Sequence, residues 1–377
     1  MTRRTWMRFP LYILAVVLPQ PMTVATAAEP DCARIEFPLE THYSVSAAQT
    51  TDGDLLVLDF RNERLIRVDL QDGSWGAVGG WAGEVLRDRQ PVAIRSSGSS
   101  VLLEQASPAR LVALDPHDLG IRPGMTYQVN ESVGTEGHVL DSMWTWEVVG
   151  SDVVACSDLY VGTGRVEDQD NWYSGIVRFP LVAPSQYELL LKLDLDSRTA
   201  LACRLAMPVI APLGNKVYLL ELTDRPRILV SSPDAPAPRE LTGVIPKQFE
   251  FISQTLRPDE DNSFILQAIE DSIMPIGVFG WRGELHLLSR SPANDGSGTD
   301  WWLTRIDPER ELAIGTARIA SRALNLMVVP GAERWALIEK GHVDSFEDQD
   351  LESVIVVPAS ELRDWTPDKI ICGSPDG

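Results

Sequence analysis

The chain has 377 residues, 44% of them hydrophobic and 23% charged, and carries a formal net charge of −21. Its acidic surface repels phosphate backbones, which argues against nucleic acid as a partner and suits solubility, cationic ligands or divalent ions. The length is enough for two domains, so internal repeats have to be sought before domains are counted.

Arg3, Arg4 and Arg8 make a positive start, Leu11 to Leu18 is a short apolar run between Pro10 and Pro19, and Ala25-Thr26-Ala27 offers small residues for a signal peptidase. A bilayer span needs about 20 apolar residues. Residues 1–27 therefore read as a cleaved secretory signal, leaving no membrane span and a periplasmic or secreted protein. Thr2 to Arg8 also resembles a twin-arginine export signal, with Trp6 where that signal prefers Phe; this route would mean folding before export and would be compatible with a cofactor. Loss of 1–27 removes three arginines and no acid, which takes the net charge to −24. All four cysteines, Cys32, Cys156, Cys203 and Cys372, remain. An even count in an exported chain points to two disulfides, with three possible pairings.

From residue 42 onward one pattern recurs: an apolar strand, a Gly-rich turn, a second apolar strand, a polar loop and a third apolar strand. First strands fall at 42–49, 90–97, 142–149, 206–213, 272–279 and 323–330. Second strands fall at 54–59, 100–105, 152–158, 216–221, 284–289 and 334–339, and third strands at 64–70, 109–115, 174–180, 226–232, 301–307 and 353–359. Short, turn-bounded runs at this spacing predict an all-β fold, a six-bladed β-propeller forming one domain over 28–377. Its blades lie near 42–89, 90–141, 142–205, 206–271, 272–322 and 323–372, the last joined by 33–40. A degenerate seventh blade in the spacer at 257–272 is the alternative.

A ring has to close, because an open edge strand is a liability. Residues 33–39 and 369–372 read as N- and C-terminal strands closing the last blade. A Cys32–Cys372 bond would fix them there, contributing roughly 4 to 5 kcal/mol in the chain-entropy model. Cys156 and Cys203 would then tie the third repeat to the fourth.

Asp59-Phe60-Arg61-Asn62-Glu63-Arg64-Leu65-Ile66, preceded by Asp52-Gly53, resembles the core of an NHL-type repeat. The match covers about 30 residues of the first repeat; the other five share only the strand pattern. The resemblance implies a six-bladed propeller of a kind that mostly serves as an interaction scaffold, with some enzymes among its relatives. Lactonase-type six-bladed enzymes hold calcium in the channel with Glu, Asn and Asp from several blades, a picture that would recruit Glu40, Asn130, Asn215 and Asn325 here.

Second strands mostly end on an acid: Asp59, Glu104, Asp158, Glu221 and Glu339, with Ser289 in the fifth repeat. A ring of carboxylates suits a metal ion such as calcium or a cationic ligand. The stronger reading is structural, with each acid accepting hydrogen bonds from a turn or the next blade. The loop after the second strand is long in repeats three, five and six. It carries Glu167, Asp168, Asp170 and Trp172, then Asp295 and Asp300, then Asp344, Glu347, Asp348 and Asp350. These residues form a candidate acidic face for a protein, peptide or cationic small molecule. The tetrad Glu-Asp-Gln-Asp occurs twice, at Glu167–Asp170 and Glu347–Asp350, and neither has the Gly at position six of a twelve-residue calcium loop.

No catalytic motif stands out. The five histidines, His42, His117, His138, His286 and His342, show no metal-ligand spacing. No Gly-x-Ser-x-Gly elbow is present, and Gly162-Thr163-Gly164 lacks the third glycine of a dinucleotide site. An exported binding scaffold is the first expectation. A calcium-dependent hydrolase or lactonase acting in the channel is the second, and a redox protein, resting on the export signal alone, the third.

Overall fold

The computed structural model describes residues 32–37, 44–59, 62, 64–78, 91–105, 110–129, 133–134, 138–161, 172–182, 186–193, 209–221, 226–232, 237–249, 273–296, 298–341, 351–363, 365–366 and 369–373. The chain divides into two compact units, residues 1–30 and 31–377. The first, with the expected signal peptide, lies outside the described residues; the second carries the fold.

Strand β1 (Ala33–Glu36) comes first and is used last. The first sheet holds β2 (Ser44–Gln49), β3 (Leu55–Asp59), β4 (Arg64–Val68) and β5 (Trp75–Val78). The second holds β6 (Pro91–Ser97), β7 (Ser100–Gln105), β8 (Arg110–Leu114) and β9 (Ile121–Gln128). The third holds β10 (Val133–Gly134), β11 (His138–Val149), β12 (Asp152–Val161), β13 (Trp172–Pro180) and β14 (Gln186–Lys192). The two-residue β10 pairs with both β11 and β14, so this sheet closes on itself. The fourth holds β15 (Val209–Leu213), β16 (Lys216–Glu221), β17 (Arg227–Ser231) and β18 (Arg239–Leu241). The fifth holds β19 (Met274–Trp281), β20 (Glu284–Pro292), β21 (Thr299–Asp307) and β22 (Leu312–Ile319), and the sixth β23 (Asn325–Val329), β24 (Arg334–Lys340) and β25 (Leu351–Pro358). The C-terminal β26 is Ile370–Ile371.

Alternation along the second strands shows why six sheets make a ring. Leu56 and Leu58 face the second sheet and pack with Ile94 and Leu103. Their neighbours Leu55 and Val57 face the sixth, against Ala336 and Ile338. Successive side chains of a strand point to opposite faces, so a strand buried on both faces reads as the continuous apolar run LLVL. The same arrangement fills every other junction. Trp146 joins the second and third sheets, Val154 and Val217 the third and fourth, Tyr218 and Leu285 the fourth and fifth, and Trp301 and Trp335 the fifth and sixth. The protein is a six-bladed β-propeller, all β apart from short 3₁₀ turns among the described residues. Outer strands are more exposed; β5 is mostly in solvent. Five of the turns between first and second strands place a glycine at positive φ: Gly53, Gly98, Gly150, Gly214 and Gly283, between 53° and 94°. A side chain is strained in that region, which accounts for the repeated turn glycine.

Closure differs in part from the expectation. β1 completes the sixth blade, pairing antiparallel with β25. β26 instead adds to the fifth blade, parallel to β22, with Arg318 N donating to Lys369 O and Ala320 N to Ile371 O. An edge has one free side, and β1 already occupies that of β25, so the C-terminal strand takes the nearest open edge. The Cys32–Cys372 disulfide is present, spanning 340 residues with Cα atoms 5.4 Å apart. It therefore staples the outer edges of blades five and six together instead of two strands of one blade. Cys156 is buried on β12, and Cys203 lies outside the described residues. Among the described residues no helix is long and apolar enough to cross a membrane.

Candidate functional site

The innermost strands β2, β6, β11, β15, β19 and β23 surround a central cavity of about 1300 Å³. Its wall has two chemistries. Blades one to three contribute Ser46, Arg95, Ser96, Thr145 and Glu147 among small alanines. Blades four to six contribute Val209, Ile210, Val278, Phe279, Met327 and Val328.

Arg95 organises the polar half. Its Nη1 donates to Ser46 Oγ on blade one and to Ile94 O, both at 2.8 Å. Its Nε reaches Glu147 Oε1 at 2.7 Å and Trp146 O at 3.0 Å on blade three, and the guanidinium lies over the Trp146 ring. Burial raises the Glu147 carboxyl above its ordinary range, and Arg95 pulls it back. Behind this wall, Trp146 Nε1 donates to Glu104 Oε2 at 2.6 Å. Burial is the main cause that pushes Glu104 up to about 7, against the lowering effects of this hydrogen bond and of Arg95.

One mouth of the cavity is acidic. The turn after β2 brings Asp52 and Asp54, the turn after β4 brings Asp69, and the turn after β23 brings Glu333, with Arg334 beside it opposing part of this charge. Burial raises Asp54; Arg67 at 3.7 Å opposes this, and Asp69, Asp52 and Asp72 add to it. Asp52 also meets His117 Nδ1 at 3.0 Å. At the other end of β24, Lys340 lines the same cavity at 8% exposure. Nothing among the described residues accepts a hydrogen bond from its ammonium or pairs with it, and burial alone lowers its pKa to about 8.

Three of the strand-end acids are held by neighbouring side chains. Asp59 Oδ2 accepts from Arg64 Nε at 2.9 Å and Asn62 Nδ2 at 2.8 Å. Glu221 accepts from Arg227 Nε at 2.5 Å. Glu339 accepts from Arg34, from Ser321 Oγ at 2.5 Å and from Ser353 Oγ. Glu104 is not their equivalent. Register pairs Asp59 with Arg64 and Glu221 with Arg227, but in blade two it pairs Gln105 with Arg110. A one-residue slip turns a side chain to the other face of its sheet, so Glu104 points to blade three. Asp158 sits on β12 opposite Ser142 and Ser174. Among the described residues no three His, Cys, Asp or Glu side chains stand where they could hold a metal ion. Asn215 lies in the turn after β15 and Asn325 opens β23, at opposite ends of the inner strands.

Of the acidic loop face, Glu167, Asp168, Asp170, Asp344, Glu347, Asp348 and Asp350 lie outside the described residues, and Trp172 opens β13 opposite Tyr160. The blade-five loop is largely neutralised. Asp300 Oδ1 holds Arg318 Nη2 at 2.6 Å and Arg322 Nη1 at 2.5 Å, and exposed Asp295 lies 3.9 Å from Arg322. Trp301 is core, donating to Ala323 O, and Trp302 donates to Ser291 Oγ.

No protein-family model and no curated protein matches this chain. Among solved structures, it is similar to the PQQ-bound aldose sugar dehydrogenase of Streptomyces coelicolor, at 15% identity over 88% of this chain and 100% of the other, with a TM-score of 0.44. A virginiamycin B lyase from Staphylococcus aureus shows 10% identity over 86% and 99%, TM-score 0.45. A candidate gluconolactonase shows 10% identity over 88% and 92%, TM-score 0.48. Likeness at this level transfers no activity to this chain.

Ser46, Arg95, Glu147 and Lys340 carry no sequence signal of their own. Each stands in a strand of apolar or mixed pattern, and only ring closure decides which of them face the channel. The nearest available clue was Lys340 itself, a lysine directly after Glu339 at the end of an otherwise apolar strand.

Proposed function

We propose that this protein is an exported binding propeller that takes a cationic, peptide-like ligand into its central channel through an acidic mouth. The observation that carries the reading is the cavity itself. It is lined by all six inner strands and leads past Asp52, Asp54, Asp69 and Glu333 to an apolar wall. A concave, mostly apolar site with a few placed polar groups is the usual form of a ligand pocket. Its volume exceeds the roughly 1,000 Å³ upper range of small-molecule pockets, which favours an elongated ligand. Export is supported by the Cys32–Cys372 bond, which belongs to an oxidising compartment.

The test is titration of a C-terminally amidated peptide, KAVAVL-amide, by calorimetry. Binding is expected to weaken about tenfold between low and high salt, as screening predicts, and to weaken similarly in Asp52→Asn/Asp69→Asn. Absence of binding, or binding indifferent to salt and to both substitutions, overturns the reading. In the same preparation, a calcium-dependent channel enzyme would require a melting shift on adding EDTA and then calcium.

A further inference from the structure

We infer that the ligand is zwitterionic, with an anionic group, as in a peptide's terminal carboxylate, docking on Lys340 at the end of the cavity opposite the acidic mouth. This rests on the channel reading above and adds the chemistry of the ligand's second end.

Lys340 is the last residue of β24, paired with Asn325 on β23 and Leu351 on β25. The five residues before it, Trp335 to Glu339, are buried, and Lys340 itself is 8% exposed yet lines the cavity. A buried ammonium is costly unless something compensates it. Elsewhere the fold supplies compensation. Arg64, Arg95, Arg227 and Arg305 each hold a carboxylate from their own or a neighbouring blade. Even Glu339, one residue away, is satisfied by Arg34, Ser321 and Ser353 on the other face of the sheet. Lys340 has no such partner among the described residues, and the space beside it is the cavity. The missing counter-charge therefore fits a ligand.

The acidic mouth does not contradict this. Lys340 and the turn carrying Glu333 stand at opposite ends of β24, which separates them by about 20 Å at the usual strand rise. Charges that far apart are screened from each other at physiological ionic strength, where the Debye length is about 8 Å. The cavity is thus negative at one end, positive at the other and apolar along Val278, Phe279, Met327 and Val328. An extended peptide of about six residues spans that distance, with its amino end among the aspartates and its carboxylate on Lys340.

The experiment compares KAVAVL with a free carboxylate against KAVAVL-amide on the wild type, Lys340→Met and Lys340→Arg. A charge-assisted hydrogen bond corresponds to about tenfold or more in affinity. The wild type should prefer the free acid by that factor, Lys340→Arg should keep most of the preference, and Lys340→Met should lose it while binding the amide normally. Melting curves keep the result interpretable, because removing an uncompensated buried charge should raise the melting temperature of Lys340→Met. Equal affinity of acid and amide on the wild type, or a preference that survives in Lys340→Met, overturns the inference and leaves the channel reading intact. Failure of both peptides to bind the wild type overturns the channel reading itself.

Discussion

The seam between blades five and six and the channel wall at Lys340 each bury a base that nothing among the described residues hydrogen-bonds or neutralises, and they resolve it in opposite ways. In the seam, His286 stands among Trp281, Trp335 and Trp365 with both ring nitrogens unbonded. Burial first, then Arg305, lowers its pKa to about 3. A histidine starts near 6.5 and sheds its proton at neutral pH at little cost. The seam is then closed with a neutral ring. A lysine starts near 10.5, and at about 8 Lys340 remains mostly charged at pH 7. A dry cage can finish with a neutral base. A charged one needs a counter-charge, and only Lys340 has a cavity beside it to admit one.

The largest effect expected is on the seam. Replacing Cys32 and Cys372 by Ser removes the staple between the fifth and sixth blades. It should lower unfolding free energy by up to roughly 5 kcal/mol, read from denaturant midpoints against the oxidised wild type. Affinity for the channel peptide should not change. A parallel loss of binding would show that seam and channel are one cooperative unit, and the comparison would break there.

The sequence revealed the seam and the channel to different depths, and the reason is physical. Blades were legible because second strands buried on both faces carry runs of consecutive apolar residues, as in Leu55 to Leu58. The place of Ile370–Ile371 was not, because two residues carry no register and the choice between two edges depends on which is already occupied. The strand-end acids looked equivalent in sequence, but the pairing of Gln105 with Arg110 shifts Glu104 to another face. The channel wall was least legible. Its half of polar side chains belongs to strands such as Pro91–Ser97, whose mixed pattern names no inward face until the ring is closed.

Glu104 tests a third way of burying charge, between those two regions. Its carboxyl is raised from 4.5 to about 7, with burial the main cause. A group raised in the folded state contributes stability that is complete below its unfolded pKa and lost as pH rises through its folded one. Glu104→Gln keeps an acceptor for the Trp146 indole and removes the titration. Relative to wild type, the variant should gain about 3 kcal/mol between pH 4.5 and pH 8. Urea midpoints at those two pH values read the gain directly, and a constant difference would mean that Glu104 is hydrated.

The smallest effect belongs to His286, and its pH window separates it from Lys340. Replacing His286 by Leu removes two unbonded buried nitrogens and should stabilise by about 1 to 2 kcal/mol at pH 7. Its folded pKa is depressed, so the wild type holds its full stability above 6.5 and loses it as pH falls toward 3. The advantage of His286→Leu should therefore widen in acid. Lys340 is depressed from 10.5 to about 8, so the advantage of Lys340→Met should be greatest below pH 8 and close as pH rises toward 10.5. Bound ligand distinguishes them further. A carboxylate on Lys340 supplies the missing counter-charge and should erase most of the gain from Lys340→Met, while leaving that from His286→Leu untouched. If peptide erases both gains, the seam senses the channel; if neither, the carboxylate does not reach Lys340.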